Sequence, residues 1–386
     1  MIKELTIEKT GLPVGWELTA LGKVCEVIAG QSPESKFYNT NEEGLAFYQG
    51  KKEFTDKYIG QPTKWTTKIT KEAIKNDILM SVRAPVGPVN FSIQKCCIGR
   101  GLAAIRASEK IDKEYLYNFL VKFENEIEGN EGAVFNSINK SQIGAIPIPL
   151  PPLPQQKQIV AILDKTFAAI DTAKANAEQN LQNTKELFES YLQNVFENKG
   201  YDWEEKTLNQ ISENLDRQRV PITKKDRKEG KIPYYGASGI VDYVQGFLFD
   251  EDLLCISEDG ANLLARTYPI AFSISGKTWV NNHAHVLRFD NNTSQYFVEY
   301  YLNSIKLDDF VSGMAQPKLN QTKLNTIPIP FPTSIKEQKK VVQKLDALSA
   351  ECKKLEAIYI QKIADLEEMK KSVLQKAFSG QLNTIN

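Results

Sequence analysis

The chain has 386 residues, 41% hydrophobic and 25% charged, the proportions of an ordinary globular protein with room for two or three cores. Lys+Arg and Asp+Glu both number 48, so bulk charge neither demands nor excludes a nucleic-acid partner, and only a local basic patch argues for one. The start, MIKELTIEKTGLP, lacks an apolar signal core, no run of eighteen apolar residues exists, and five cysteines (25, 96, 97, 255, 352) show no metal-ligand spacing. The expectation is a reduced, cytoplasmic chain that is neither exported nor inserted in a membrane.

In chain order, residues 1–12 read as a polar lead-in, and GWELTALGKVCEV (15–27) opens a globular region. Short strands split by Gly and Pro turns follow: LAFYQG (45–50), DILMSV (77–82), GPVNFSI (87–93) and CCIGRGLAAIR (96–106), then a helix over 112–127. A Pro-rich strip, IPIPLPPLP (146–154), leads into a long polar helix. The order then repeats. DWEEKTLNQISEN (202–214) opens a second globular region with strands over 231–236, 252–257, 268–274 and 283–289 and a helix over 294–305. A second strip, IPIPFPTSIKEQ (327–338), leads into a second long helix. The strips align at an offset of 181 and the helices at 182, so Leu163–Asp164 matches Leu345–Asp346 and Phe196 matches Phe378. The chain is a tandem duplication.

The fold class is therefore α+β: two α/β domains and two long helices, in an internal pseudo-twofold repeat. The segments are 1–153, 154–198 (first helix), 199–333, and 334–386 (second helix and C-terminal tail). In the first helix Ile159, Leu163, Thr166, Ile170, Ala173, Ala177, Leu181, Thr184, Phe188, Tyr191 and Val195 recur at steps of three or four, and the second repeats the pattern from Val341 to Ala377. Such a narrow apolar seam is that of a coiled coil, and the nearest partner for each helix is the other. Each globular head precedes its helix, and only a few residues (Lys199 to Trp203) link the first helix to the second head. The helices are thus expected to pair antiparallel, with the heads at opposite ends and Phe378 returning beside Trp16.

Catalytic motifs are hard to find. GRGLAA (99–104) fits a dinucleotide fingerprint, but the second copy carries Asn282 and His283 in the equivalent turn and has no such loop, and no helix opens there. The two histidines form H-A-H (283–285), spaced for one face of a strand, without Cys or carboxylate at ligand spacing. No amino-methyltransferase tetrad, Walker loop or G-x-S-x-G elbow occurs. Basic and aromatic runs say more. KKEFTDKYIGQPTKWTTK (51–68) interleaves lysines with Phe54, Tyr58 and Trp65, and DRQRVPITKKDRKEGK (216–231) runs towards Tyr234. A charge run is usually a solvated face, yet these suit phosphate neutralisation with Arg, Asn and Gln at base edges. The candidate DNA contacts are Lys51, Lys52, Lys64, Arg83 and Arg100 in the first half. In the second they are Arg217, Arg219, Lys224, Lys225, Arg227, Tyr234, Asn281, Asn282 and His283.

Taken together, DILMSVRAPVGPVNF with CCIGRGLAAIR, GKIPYYGASGIVDYV with CISEDGANLLAR and WVNNHAHVLRF, and the duplicated IPIPLPPLPQQKQIVAILD resemble the specificity (S) subunit of type I restriction–modification systems. The resemblance covers essentially the whole chain. It implies two target recognition domains that each read half of a split double-stranded DNA site, and two helices that act as spacer and dock for two modification (methyltransferase) subunits. Restriction (endonuclease/translocase) subunits join in the full complex. It also implies no catalysis by this chain, with S-adenosylmethionine, ATP and Mg held by partner subunits. One departure is PTSIKEQ, where the family usually has Pro-Leu ahead of its Glu-Gln. The competing readings are a methyltransferase or nuclease fragment bearing its own recognition domain, and a coiled-coil scaffold with peptide-binding heads.

Overall fold

The computed structural model describes residues 12–129, 137–313 and 315–382, so the polar lead-in, apart from Leu12, and the end of the C-terminal tail lie outside the described residues. The chain divides into two compact units, residues 1–177 with 361–386 and residues 178–360, so each long helix contributes to both.

The first unit is built around a four-stranded antiparallel sheet in the order Cys25–Ala29, Leu102–Ala107, Ile78–Ser81, Val89–Phe91. Apart from Ser81 and Arg106 its central strands are apolar, because both faces are covered. Ile78, Met80, Ala103 and Ile105 point towards the helix Lys113–Gly129 and the long helices. Leu79, Leu102 and Ala104 point instead into a second core with Tyr48, Cys96 and Ile98. That second core belongs to a five-stranded sheet in which Leu45–Tyr48 runs parallel to Cys96–Ile98, with Glu72–Ala73 antiparallel at its edge.

The second unit repeats this plan. Glu213–Asn214, Ala284–Arg288, Leu253–Ser257 and Ala271–Ile274 form the central antiparallel sheet. Leu254, Ile256 and Leu287 face the helices, while Leu253, Cys255, Ala284 and Val286 face a second sheet. In that sheet Glu229–Gly236 runs parallel to Lys277–Val280, with Phe249–Asp250 antiparallel at its edge. An added hairpin strand, Gly239–Val244, extends it.

Three repeated devices explain the duplicated sequence. The Pro-rich strips are strands rather than spacers: Pro147–Leu150 pairs with Glu17–Ala20, and Ile329–Pro332 with Trp203–Lys206. Prolines two apart place their missing N–H groups along one edge, so a two-stranded ribbon tolerates them. A buried glutamine straps each strip to its helix, since Gln156 Nε2 donates to Pro151 O and Gln338 Nε2 to Pro332 O, both at 2.8 Å. An arginine pins each central sheet: Arg106 grips Asp77 through two bonds of 2.8 and 2.9 Å and reaches Glu26 at 3.1 Å. Its counterpart Arg288 grips Glu251 at 2.6 and 2.7 Å and Glu213 at 2.7 Å. The Arg288 guanidinium holds the Glu251 carboxyl below its ordinary value.

The long helices, Leu153–Glu197 and Ile335–Phe378, run antiparallel within each unit. In the first, Lys174 pairs with Glu367 at 2.6 Å and Lys370 with Asp171 at 2.9 Å, so one helix descends as the other climbs. In the second, Tyr191 and Val195 meet Val341 and Lys344, whereas Phe188 and Leu192 share a groove with Ser349 and Lys353. The apolar seam is turned inward along both helices except at Leu355, which is 38% exposed beside half-buried Glu356. Phe378 ends in the first core, its ring centroid 5.0 Å from Tyr115 and 5.5 Å from Phe119, with Trp16 packed against the same cluster. Phe196 does the same for the second core, 5.4 Å from Phe297 and 5.1 Å from Tyr301.

Candidate nucleic-acid interface

At one end of each central sheet three chain segments meet, joined by the same backbone bonds. In the first unit Gly99 N donates to Tyr48 O, Gly101 N to Gln49 O and Val82 N to Gly101 O. Segments 48–52, 82–83 and 99–101 therefore converge, presenting exposed Lys51, Lys52, Arg83 and Arg100. In the second unit Asn281 N donates to Tyr235 O and Glu258 N to His283 O. This gathers 235–238, 258–259 and 281–283, with Ser238, Asn282 and His283 exposed. Arg100 and Asn282 thus occupy the same turn of the repeat, and Arg83 and Asp259 the same position after the neighbouring strand. Arg83 bridges Ser137 and Asp259 bridges Lys318, which confirms that register.

The glycines at 99 and 101 are explained by this packing. A Cβ on Gly101 would fall 2.4 Å from Gln49 O, and one on Gly99 3.0 Å from the Gln49 Cα. A strand, Leu102–Ala107, follows them, so no helix opens above a phosphate here.

The remaining candidates divide by burial. Arg217, Lys224 and Lys225 are exposed on two short helical turns, Asp216–Gln218 and Lys224–Asp226. Lys64 is exposed too, on another segment, its ammonium 6.0 Å from the Tyr38 ring centroid. Four residues face inward instead. Tyr234 is 1% exposed, and its hydroxyl accepts from Ile222 N at 2.9 Å. Arg227 stacks on that ring at 4.4 Å and pairs with Asp242 at 2.9 Å, lowering the Asp242 carboxyl's pKa through the bond. Asn281 is buried and its Oδ1 accepts from His283 N at 2.8 Å, shaping the turn. Arg219 spans Glu258 (2.8 Å) and the Ala284 carbonyl (2.6 Å). Each is committed to holding a loop, so contact with a ligand falls to the exposed set.

The two histidines separate as well. His283 precedes the strand Ala284–Arg288, lies half exposed in the turn, and its Nδ1 meets both Asp259 oxygens at 2.8 and 3.0 Å. His285 lies within the strand, 1% exposed, with Nδ1 2.6 Å from Asp216 Oδ2 and Nε2 2.8 Å from Leu319 O. They do not share a face, and no cluster of three or more His, Cys, Asp or Glu suited to a metal exists among the described residues. The five cysteines are free and buried. Burial raises the Cys25 thiol's pKa to about 12 and that of Cys96 to about 11, the wrong direction for a nucleophile. Residues missed by sequence reasoning are Glu258, Asp259 and Lys318. They meet the other charged residues only in space, and the acidic pair in SEDG (257–260), well upstream of H-A-H, was the available signal.

The structure thus defines a duplicated scaffold: similar backbones presenting unequal side chains at one sheet end, each tied to a long helix. The chain belongs to the type I restriction modification DNA specificity domain family, which matches residues 13–183 and 201–365. It is similar to the type I restriction enzyme MjaX specificity subunit of Methanocaldococcus jannaschii, 41% identical over 185 residues, which covers 47% of this chain and 43% of that protein. It is also similar to specificity subunit S.HindORF215P of Haemophilus influenzae, 35% identical over 161 residues, 42% of this chain and 40% of that one. The chain therefore matches less than half the length of each of these two relatives. In fold it resembles a chain from a structure on complex assembly and conformational transition of the type I R-M system, with a TM-score of 0.78 and 17% identity, covering 96% and 99% of the two chains. It also resembles the HsdS subunit of Thermoanaerobacter tengcongensis, with a TM-score of 0.63 and 18% identity, covering 96% and 98%. No helix among the described residues is long and apolar enough to cross a membrane.

Proposed function

We propose that this chain is the DNA-recognition subunit of a type I restriction–modification enzyme. Each head reads one half of a bipartite site in double-stranded DNA, and the long helices dock two methyltransferase subunits, with restriction subunits joining in the full enzyme. The observation that carries this reading is the repeated meeting of three segments. One backbone plan presents Lys51, Lys52, Arg83 and Arg100 in one head and Ser238, Asn282 and His283 in the other. Equal scaffolds with unequal side chains suit two half-sites of different sequence, since base identity is read by side chains while backbone contacts only position. Lys224, Lys225 and Arg217 supply phosphate contacts. Chemistry falls to the partners, which hold S-adenosylmethionine, ATP and Mg; the sequence carries no methyltransferase tetrad, and the cysteines among the described residues are buried, which pushes the Cys25 and Cys96 thiols up. Two helices of 45 and 44 residues with matching entry strips offer like surfaces to two like subunits.

Replacing residues 16–145 with the corresponding head of a family member of different specificity tests this. Methylation mapped in cells carrying the chimera and its modification partner should show one half-site changed and the other retained. A motif in which both halves shift together contradicts the reading.

A further inference from the structure

We propose that Asp259 and His283 form a base-reading pair, in which Asp259 fixes the His283 ring so that its Nε2 reads a base edge in the major groove. The proposal rests on the reading of the chain as a DNA-recognition subunit and names a specificity determinant within it. An ionised carboxylate only accepts hydrogen bonds, so the contacts of 2.8 and 3.0 Å to Asp259 place a proton on Nδ1 and leave Nε2 as the reading atom. No hydrogen bond joins Nε2 to any described residue, and the side chain is 51% exposed.

The ring is held in advance of binding. His283 N donates to Asn281 Oδ1 at 2.8 Å, and His283 O accepts from Glu258 N at 2.9 Å. Asp259 is anchored in turn by its backbone bridge to Lys318. Such fixing keeps the cost of ordering out of the binding step.

The surrounding charges leave one carboxylate to the ring. Asp216 contacts His285 at 2.6 Å and Arg219 at 3.5 Å. Glu258 contacts Arg219 at 2.8 Å, Lys318 at 3.2 Å and His285 at 3.9 Å. Those two carboxylates are matched by their own cations, so Asp259 is the carboxylate left to His283. Each base pair presents its own pattern of donors and acceptors at the major-groove edge, so a ring nitrogen held in one place distinguishes them. The first head carries Arg83 at the position of Asp259 and Arg100 beside that of His283, so this pair of turns is where the heads part chemically.

The experiment maps methylation in cells carrying the chain with its modification partner, for wild type, Asp259→Asn, His283→Gln and His283→Ala. All three variants should relax one and the same position of one half-site, on the order of tenfold, and leave the other half-site intact. An unchanged motif in the variants overturns the pair while the recognition reading stands. So does relaxation of different positions by Asp259→Asn and His283→Gln, or loss of methylation at all sites from Asp259→Asn alone. A wild-type chain that directs no bipartite motif overturns the recognition reading itself, and the pair with it.

Discussion

Burial alone would raise the carboxyl pKa of Asp216, yet the bond from His285 and the nearby Arg219 hold it below its ordinary value. Glu258 is likewise lowered against its burial, by Arg219, His285 and Lys318. A carboxyl whose folded pKa is depressed contributes stability that is full above its unfolded value, about 4, and drains as pH falls through the lower folded value. The chain should therefore lose stability on acidification below about pH 4, and Asp216→Asn should flatten that part of the profile. At pH 7 the same substitution should cost about 1–3 kcal/mol, because the amide gives up one of the two acceptor oxygens that serve His285 and Val286 N. Circular dichroism across an acid titration checks both, and superimposable curves for variant and wild type would refute the assignment. Little of this network was legible in the sequence. H-A-H spacing suggested one face of a strand, but the strand begins at Ala284, which leaves one histidine in solvent and the other in the core. Basic residues were legible as a class, but which of them face inward depends on contacts such as Arg227 on Tyr234, which join a loop to a strand.

At the scale of elements the sequence was far more informative, because both faces of the central strands are covered and their apolar runs stand out. DILMSV and DLLCIS read as strands, and Ile78–Ser81 and Leu253–Ser257 are those strands. What escaped were strands without such a run. The polar strand Trp203–Lys206 is defined by its pairing with Ile329–Pro332, and the Pro-rich strips look unlike strands on composition alone. The seam residues that anchor each helix end were visible through the offset, and their weight can be measured. Phe196 and Phe378 sit at equivalent positions, 6% and 3% exposed, each surrounded by aromatic rings of a head. Truncating either to alanine should cost about 3–5 kcal/mol, the range for a buried phenylalanine that leaves a cavity. Thermal unfolding of F196A and F378A against an exposed control such as Leu187→Ala provides the comparison; losses no larger than the control's would mean the helix ends are not anchored in the cores.

At the scale of the whole chain, the duplication makes a demanding prediction about chain order. Gly380, just past the second long helix, packs against Pro13, since a Cβ built there would lie 2.2 Å from the Pro13 ring. Trp16 N donates to Pro13 O at 3.1 Å, as Trp203 N donates to Gly200 O at 3.2 Å, so the chain enters each head through a similar turn. The step from Glu197 to Trp203 joins the first helix to the second head covalently. The step from Phe378 to Trp16 is the same step without the bond. Joining residue 381 to residue 12 through a short Gly-rich linker costs little, because the two ends are already held together and closure entropy grows only slowly with length. Opening the chain between Lys199 and Gly200 then releases a turn that is exposed or half-buried on the surface. The resulting permutant carries the heads in reversed order along the sequence, yet every strand pairing and helix seam described above is retained. It should fold with a melting temperature close to that of the parent and, with the same modification partner, direct methylation to an unaltered bipartite motif. If the permutant folds but the two half-sites or the gap between them change, the head-to-helix connectivity matters beyond geometry, and the equivalence of the two entry turns is only local.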